Sequence, residues 1–292
     1  MKERDYSRRT FIKIMGASAA AMALPGFSFI KEKKKTAKIG IQLYTIRKEI
    51  EKDFEAAVKK VAGIGYSGVE TYALPSNITL AKAAGIFKTA GLKVFGMHTE
   101  MPEGNQKDQI LRLADAYHCD RAIYAGWPEE EKYKDKDTVK RTADRYNEAA
   151  AFLKSRGLKF GLHNHWWEFE KHADGITPFY YLLENLSSDV FFEIDTYWVK
   201  TGGQDPAKVV SDFGGRAPLL HIKDGPAIKG EKSYEQVPAG RGVMDFQAIV
   251  KSAAGNTEWM VVEFDEYASD IFEGIKESYD FLTGKRLAKG NK

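Results

Sequence analysis

Acidic and histidine side chains recur in this chain at the points where short apolar runs end. They are Glu70, His98, His163, His165, Glu168, Asp195, His221 and Glu263. Each apolar run is long enough to form one buried strand. In a barrel of parallel strands all carboxyl ends meet at one mouth, where such side chains can bind a metal ion and carry protons. The pattern therefore predicts an enzyme.

The predicted strands that would position these residues alternate with segments of helical periodicity. The strands are 39–45, 68–73, 93–98, 121–126, 159–165, 190–196, 218–223 and 259–264, and the helices are 52–64, 79–90, 106–117, 138–156, 178–186, 206–213, 245–253 and 270–283. Eight such units are typical of a single-domain (β/α)8 TIM barrel, here over residues 36–287 with a tail at 288–292. An open doubly wound sheet is the alternative, but no Gly-x-Gly-x-x-Gly motif follows the first strand.

The composition argues against a nucleic-acid-binding protein. The 292 residues carry a formal net charge of +3, but nine of the 44 basic and three of the 41 acidic side chains lie in the first 35 residues. The remainder is slightly acidic and offers no basic field for a phosphate backbone. With 43% hydrophobic residues, the chain can bury one large core.

The amino-terminal segment differs in character from the rest. Arg8 and Arg9 stand in Ser-Arg-Arg-Thr-Phe-Ile-Lys, which precedes an Ala-rich apolar run from Ile14 to Phe29. This arrangement resembles a twin-arginine export signal. A Pro-Gly pair interrupts the run, which is shorter than the roughly 20 apolar residues of a membrane-spanning helix. Residues 1–35 are therefore predicted to be an export signal with a basic linker, which implies a periplasmic protein without a stable membrane span.

The order of several motifs resembles the xylose isomerase-like sugar isomerase and epimerase barrels. The motifs are Gly-Ile-Gln-Leu-Tyr-Thr-Ile-Arg at the first strand, Gly161 to His165 at the fifth, Ile194-Asp195-Thr196 at the sixth, Leu220 to Asp224 at the seventh and Val262-Glu263 at the eighth. The family also includes inosose and dehydroshikimate dehydratases and the endonuclease IV type of nuclease. The resemblance covers nearly the whole chain after residue 37 and implies the same barrel.

The resemblance also implies a metal site. Members of the family bind one divalent ion through a Glu, an Asp, a His and a second Glu from strands five to eight. The implied ligands on the last three strands are Asp195, His221 and Glu263. Many relatives read Glu-Asn-His on the fifth strand, where this chain reads His-Asn-His. His163 is the fourth ligand by position, with His165 and Glu168 as alternatives.

The donor types indicate both the metal and the reaction. Oxygen and imidazole ligands together suit a borderline divalent ion, and we favour Mn²⁺ or Zn²⁺. Such an ion would stabilise the ene-diolate that forms when the carbon beside a carbonyl loses its proton. The family's epimerases use glutamates of strands five and eight as proton carriers, and this chain retains only Glu263 of the two. Imidazoles titrate near working pH, so His163, His165 and Glu263 are the predicted catalytic groups.

Further polar and aromatic residues are predicted to bind the substrate. They are Glu70, His98, Glu168, Trp198, Lys223 and Arg241. Trp198 offers an aromatic face on which a sugar ring can stack. Arg241 lies in segment 225–244, which is rich in Gly, Pro and charge and is a candidate lid over the site.

These features together predict a metal-dependent isomerase, epimerase or lyase. It would act on a free sugar or keto-sugar, because phosphorylated sugars are chiefly cytoplasmic and the protein is predicted to be exported. One alternative is a periplasmic carbohydrate-binding barrel without turnover, which the loss of the fifth-strand Glu permits. A second is an endonuclease-like phosphodiesterase, which would need more metal ligands and a positive groove. No nucleic-acid partner is expected, and an oligomer is possible.

Overall fold

Eight parallel strands close into a barrel in the order of the sequence, with the last strand paired to the first. The computed structural model describes residues 36–126, 133–172 and 174–292, so the predicted export signal lies outside the described residues. The strands are β1 Lys38–Gln42, β2 Gly68–Thr71, β3 Lys93–Thr99, β4 Arg121–Tyr124, β5 Lys159–His163, β6 Phe191–Asp195, β7 Leu219–Ile222 and β8 Trp259–Val262. All eight predicted strands are present, and the predicted (β/α)8 TIM barrel is confirmed.

Helices connect successive strands, and all eight predicted helices are present. The described helices are α1 Arg47–Lys52, α2 Phe54–Ile64, α3 Leu80–Thr89, α4 Gln106–Tyr117, α5 Lys136–Ser155, α6 Pro178–Asn185, α7 Thr196–Thr201, α8 Pro206–Phe213, α9 Phe246–Ser252 and α10 Ile271–Gly284. None of these is long and apolar enough to cross a membrane.

Seven of the eight strands end one to three residues earlier than predicted, and the structure adds the short helices α1 and α7. The first strand stops at Gln42, whose side-chain oxygen accepts the backbone N–H of Tyr44 at 3.1 Å and starts a 3-10 turn. The sixth strand stops at Asp195, whose Oδ1 accepts the backbone N–H of Trp198 at 2.9 Å. A carboxylate at this position satisfies an otherwise unpaired N–H group and starts a helix. Both strands therefore end where an inward polar side chain turns the backbone.

Apolar side chains fill the amino-terminal half of the barrel. The cluster consists of Phe95, Ile123, Phe191, Leu219, Trp259 and Val261. The rings of Phe95 and Trp259 are stacked, with centroids 4.2 Å apart. Gly161 makes room for this packing, because a Cβ at this position would lie 2.3 Å from the ring of Phe191. The inward polar side chains are thereby confined to the carboxyl-terminal half.

Residues 288–292, predicted as a tail, pack against the barrel instead. The backbone N–H of Lys289 donates to the carbonyl oxygen of Ala37, and the N–H of Ile39 donates to the carbonyl oxygen of Lys289, both at 2.9 Å. The chain end thus extends the pairing of β1. Such a short contact carries no periodicity, so the sequence pattern gave no sign of it.

A single carboxylate holds segment 225–244, the candidate lid, at both of its ends. Asp224 is 1% exposed. Its two oxygens accept backbone N–H groups from Gly225, Gly240, Gly242 and Met244 at 2.9 to 3.2 Å. The segment is therefore a tethered loop, and it contributes Tyr234 to the cavity at the mouth of the barrel.

Asp224→Asn is expected to lower the free energy of unfolding by about 2 to 3 kcal/mol, because an amide group would face two backbone N–H donors in place of an oxygen. The segment should also become sensitive to trypsin at Lys229 and Lys232. Urea unfolding and limited proteolysis measure the two effects. Asp245→Asn, at the exposed start of α9, is the control, with an expected loss under about 1 kcal/mol. Equal losses in the two variants would contradict the tethering role.

Candidate metal centre and active site

A cavity of about 920 Å³ opens at the carboxyl-terminal mouth of the barrel. Its polar lining includes His98, His163, His165, Lys223, Glu263 and Asp265, and its aromatic lining includes Tyr44, Tyr72, Tyr124, Trp198 and Tyr234. A volume of this size is typical of a small-molecule site. The cavity therefore opens onto the strand ends that carry the predicted metal-binding and catalytic residues.

Nitrogens of three imidazoles converge on one oxygen of Glu193. Glu193 Oε2 lies 2.7 Å from His98 Nε2 and 3.2 Å from both His163 Nδ1 and His221 Nε2. Glu70 adjoins them, with its Oε2 2.8 Å from His221 Nε2 and 3.2 Å from His98 Nε2. We call His98, His163, Glu193 and His221 the inner group.

The four ligands predicted from the sequence form a second cluster. Glu263 Oε2 lies 2.7 Å from His221 Nδ1, and Asp195 Oδ2 lies 3.9 Å from the same nitrogen and 4.0 Å from His163 Nε2. We call His163, Asp195, His221 and Glu263 the outer group. The ammonium of Lys223 lies against its carboxylates, with Nζ 2.8 Å from Glu263 Oε2 and 3.1 Å from Asp195 Oδ2.

Two imidazoles belong to both groups, and each directs one nitrogen towards each group. His163 places Nδ1 near Glu193 and Nε2 towards Asp195. His221 places Nε2 near Glu193 and Nδ1 near Glu263. A neutral imidazole has one nitrogen with a free lone pair and one N–H group. Each ring can therefore ligate an ion on one side while it donates its N–H to a carboxylate on the other side.

Burial and neighbouring charges shift the pKa values of these groups strongly. Burial lowers the pKa of His98, but the charges of Glu70 and Glu193 outweigh it and raise this pKa to about 10. Burial disfavours the ionised form of Glu193, yet the charges of His221 and His98 hold its pKa well below the usual range. Burial lowers the pKa of His163 well below its usual value. His163 is therefore a neutral imidazole, which is the form that binds metals.

The residues fit a divalent transition metal. Within each group, four candidate ligand atoms lie within 4.8 Å of one another. Glu70 Oε1 and Glu193 Oε1 are buried and have no hydrogen-bond partner among the described residues. A buried carboxylate oxygen is costly unless a cation or a donor meets it. Mixed imidazole and carboxylate donors favour ions such as Zn²⁺ or Mn²⁺.

The structure brings most of the predicted site residues to one place. Those that line the cavity are His98, His163, His165, Trp198, Lys223 and Glu263. Asp195 and His221 are fully buried and contact these residues. His165, an alternative for the fifth-strand ligand, belongs to neither group; its ring stacks on Trp167 with centroids 4.3 Å apart.

Three of the predicted substrate contacts are placed elsewhere. Glu70 is fully buried behind the imidazoles and contacts His221. Glu168 is 2% exposed, and its Oε2 accepts the backbone N–H of His165 at 2.9 Å, so it shapes the turn after β5. Arg241 lies outside the cavity lining and pairs with Glu277 at 2.9 Å. The hydrogen bonds from the glycines on both sides of Arg241 to Asp224 fix the backbone in this orientation.

Sequence reasoning missed Glu193 and Asp265. Alternate residues of a strand share a face, so Glu193 points inward with Asp195, two residues later. By the same spacing Asp265 points inward with Glu263, and its Oδ2 lies 2.8 Å from Lys223 Nζ. In both segments the alternation of inward and outward residues was the sequence signal that could have identified Glu193 and Asp265.

Gly96→Ala is expected to displace Glu70, because a Cβ at this position would lie 2.5 Å from Glu70 Oε1 and 2.9 Å from Ile123 Cδ1. Overpacking of this kind costs about 1 to 3 kcal/mol, so the free energy of unfolding should fall by that amount. The control is Gly85→Ala in α3, where a Cβ would meet nothing within 4 Å. Alanine there should instead stabilise the helix by roughly 0.5 to 1 kcal/mol. Urea unfolding measures both variants, and a neutral Gly96→Ala would show that Glu70 has room to move.

Comparison with known proteins adds several findings. The curated inosose dehydratase of Serratia proteamaculans (strain 568) is 26% identical to this chain, and the match covers 51% of this chain and 58% of that protein. The chain therefore matches less than two thirds of the length of this relative. A solved structure of a sugar phosphate isomerase/epimerase from Parabacteroides distasonis ATCC 8503 has a TM-score of 0.74 at 24% identity, covering 87% of this chain and 100% of that one. A structure of the IOLI protein with a bound zinc atom has a TM-score of 0.65 at 14% identity, covering 86% and 98% of the two chains.

Two family profiles match the sequence. Residues 5–25 match the signal sequence of the twin-arginine translocation pathway, which supports the predicted export. Residues 58–285 match the xylose isomerase-like TIM barrel, in agreement with the closed barrel and the polar cluster at its mouth. The chain therefore belongs to the xylose isomerase-like TIM barrel family.

Proposed function

We propose that this chain is a periplasmic, divalent-metal-dependent enzyme that removes a proton beside the carbonyl of a free sugar or keto-sugar. The observation that carries the proposal is the convergence of three imidazoles and several carboxylates beneath a cavity of about 920 Å³. Isomerisation, epimerisation and β-elimination share this proton-transfer step. Similar proteins are named sugar phosphate isomerase/epimerase, L-ribulose 3-epimerase and inosose dehydratase, and these names are in keeping with a reaction of this kind.

The proposed metal ion is Mn²⁺ or Zn²⁺, held by His163 and His221 together with carboxylates. The sequence-derived set adds Asp195 and Glu263 to the two imidazoles, and a zinc atom in the related IOLI structure is consistent with such a site. When bound, the ion would supply a positive charge that stabilises negative charge developing on the oxygens of the substrate.

Glu263 is the proposed proton carrier. It lines the cavity, so it can reach a bound substrate. Burial disfavours the charged form of Glu263, but Lys223 and His221 outweigh it and hold its pKa well below the usual range. Glu263 is therefore an ionised group that can accept a proton. Lys223, which is 3% exposed, holds Glu263 in place and can donate to a substrate oxygen.

The lining of the cavity favours an unphosphorylated substrate. Among the described residues its charged side chains are Arg112, Lys223 and His98 against Glu100, Glu263, Asp265 and Glu266. Lys223 and His98 are already paired with carboxylates. A phosphate group would need several cationic or N–H donors, whereas the aromatic lining suits stacking on the apolar face of a sugar ring.

Proton exchange tests this proposal. The purified mature protein, loaded with Mn²⁺ or Zn²⁺, would be incubated in D2O with free ketoses, 3-keto-glycosides and the corresponding sugar phosphates. Deuterium should enter beside the carbonyl of an unphosphorylated compound, as followed by NMR, and chelator treatment should abolish this exchange. Exchange restricted to sugar phosphates would overturn the proposed substrate class. Sugar binding without exchange, unaffected by chelator, would instead indicate a binding protein.

A further inference from the structure

We propose that the cavity holds a second sugar ring, linked through a glycosidic bond to the ring that reacts. We call its binding place the second-ring site; it lies on the side of the cavity formed by the segments that follow β2 and β3. The inference rests on the proposed function, because it places the reacting ring beside Glu263. It narrows the substrate class from unphosphorylated sugars in general to those with at least two linked rings.

The cavity is larger than a single sugar ring requires. Its volume is about 920 Å³, whereas one hexose ring fills roughly 200 Å³ at the packing density of a protein interior. A single ring beside Glu263 would therefore leave most of the cavity to water. Small-molecule sites usually enclose most of the surface of their ligand, so the size of this cavity favours a longer substrate.

The lining divides into a polar side and an apolar side. The groups proposed to bind the metal and carry the proton lie at the ends of β5 to β8. In the closed barrel β2 and β3 lie opposite β6 and β7, with two strands between the pairs on each side. The segments that follow β2 and β3 line the cavity with Tyr72, Leu74, Leu80, Ile110 and Leu113. A ring attached to the reacting one would meet this apolar surface.

Two tyrosines form a fixed aromatic surface on the same side. The rings of Tyr44 and Tyr72 meet edge to face, with centroids 5.5 Å apart. The guanidinium of Arg47 lies 4.1 Å from the centroid of the Tyr44 ring, and its Nη2 donates to the carbonyl oxygen of Asp265 at 2.7 Å. These contacts hold the aromatic pair in place before any ligand binds, which lowers the entropic cost of stacking a sugar ring on it.

Helix α4 adds hydrogen-bonding groups beside the apolar residues. Gln106, Gln109 and Leu113 follow a spacing that places them on one face of the helix, and all three line the cavity. Among the described residues, the side chains of Gln106, Gln109 and Arg112 have no hydrogen-bond or ion-pair partner. An amide group can donate to one hydroxyl and accept from another. Amides next to aromatic and aliphatic side chains therefore favour a hydroxylated ring over a purely aromatic one.

Binding measurements on the purified mature protein test the second-ring site without requiring turnover. Isothermal titration would compare the methyl glycosides of common hexoses and pentoses with disaccharides that contain the same sugars, and with the matching phenyl glycosides. At least one disaccharide should bind about 10-fold more tightly than its methyl glycoside, because it adds stacking and hydrogen bonds. A panel in which no disaccharide exceeds its methyl glycoside would overturn the second-ring site. A phenyl glycoside that binds as tightly as the best disaccharide would overturn a sugar as the occupant.

Two variants locate the extra affinity. Gln109→Ala and Tyr72→Leu should each weaken binding of that disaccharide by about 5- to 10-fold and change binding of the methyl glycoside by less than about 2-fold. Gln247→Ala, at an exposed glutamine of α9 that is absent from the cavity lining, is the control and should change neither affinity. Circular dichroism verifies that each variant is folded. Equal losses for both ligands in Gln109→Ala would overturn the assignment of this side of the cavity.

The second-ring site and the proposed reaction can fail separately. Tight binding of a disaccharide that shows no deuterium exchange would overturn the proposed proton transfer and leave the second-ring site intact. Deuterium exchange in single-ring sugars, together with no gain in affinity for any disaccharide, would overturn the second-ring site and leave the proposed function intact.

Discussion

Replacing His221 with glutamine is expected to weaken zinc binding by more than about 100-fold. His221 is fully buried and contacts carboxylates of both groups, with Nδ1 2.7 Å from Glu263 and Nε2 2.8 Å from Glu70. Its loss therefore damages the site wherever the ion lies. Chelator competition measures the affinity, and elemental analysis after gel filtration measures the amount of zinc retained.

His165→Gln is the matched control for this prediction. His165 lies in the same cavity and on the same face of the fifth-strand segment as His163, but it belongs to neither group. Its replacement should change zinc affinity by less than about 10-fold, which is the lower range for residues that only support ligands. A large loss in His165→Gln would indicate that the fifth-strand ligand is His165 and not His163. Retention of zinc by His221→Gln would refute the proposed metal site.

Lys223→Met is expected to lower the free energy of unfolding of the metal-free protein by about 3 to 5 kcal/mol. The ammonium is buried between three carboxylates, those of Asp195, Glu263 and Asp265. Without it these carboxylates face one another in a region with little water to screen them. Urea unfolding in the presence of chelator measures the loss.

Two further variants check the cause of this loss. Adding Glu263→Gln to Lys223→Met should recover part of the stability, because one of the uncompensated charges is removed. Lys208→Met, which breaks the exposed pair with Asp212 on α8, should cost no more than about 0.5 kcal/mol. If the double variant were no more stable than Lys223→Met, lost packing of the lysine stem would explain the effect better than lost charge.

The sequence by itself determined the barrel and most of the polar residues at its mouth. Apolar runs, helical periodicity and their alternation are local properties, so all eight strands and the eight longer helices could be predicted. His163, Asp195, His221 and Glu263 follow such runs, and the alternation of a strand directs them inward. The same alternation places Glu193, two residues before Asp195, on the inward face of its strand.

Only the tertiary structure decided which of these side chains meet. Glu193 contacts imidazoles from β3, β5 and β7 because barrel closure brings strands that are distant in sequence to one level. Lys223 reaches the outer carboxylates, and Arg241 turns towards Glu277, through contacts between separate elements. Local patterns fix which face a residue occupies, whereas the register and stagger of the closed barrel fix the distances between side chains on different strands. Which of these side chains can share one cation depends on those distances, and it is therefore a property of the fold.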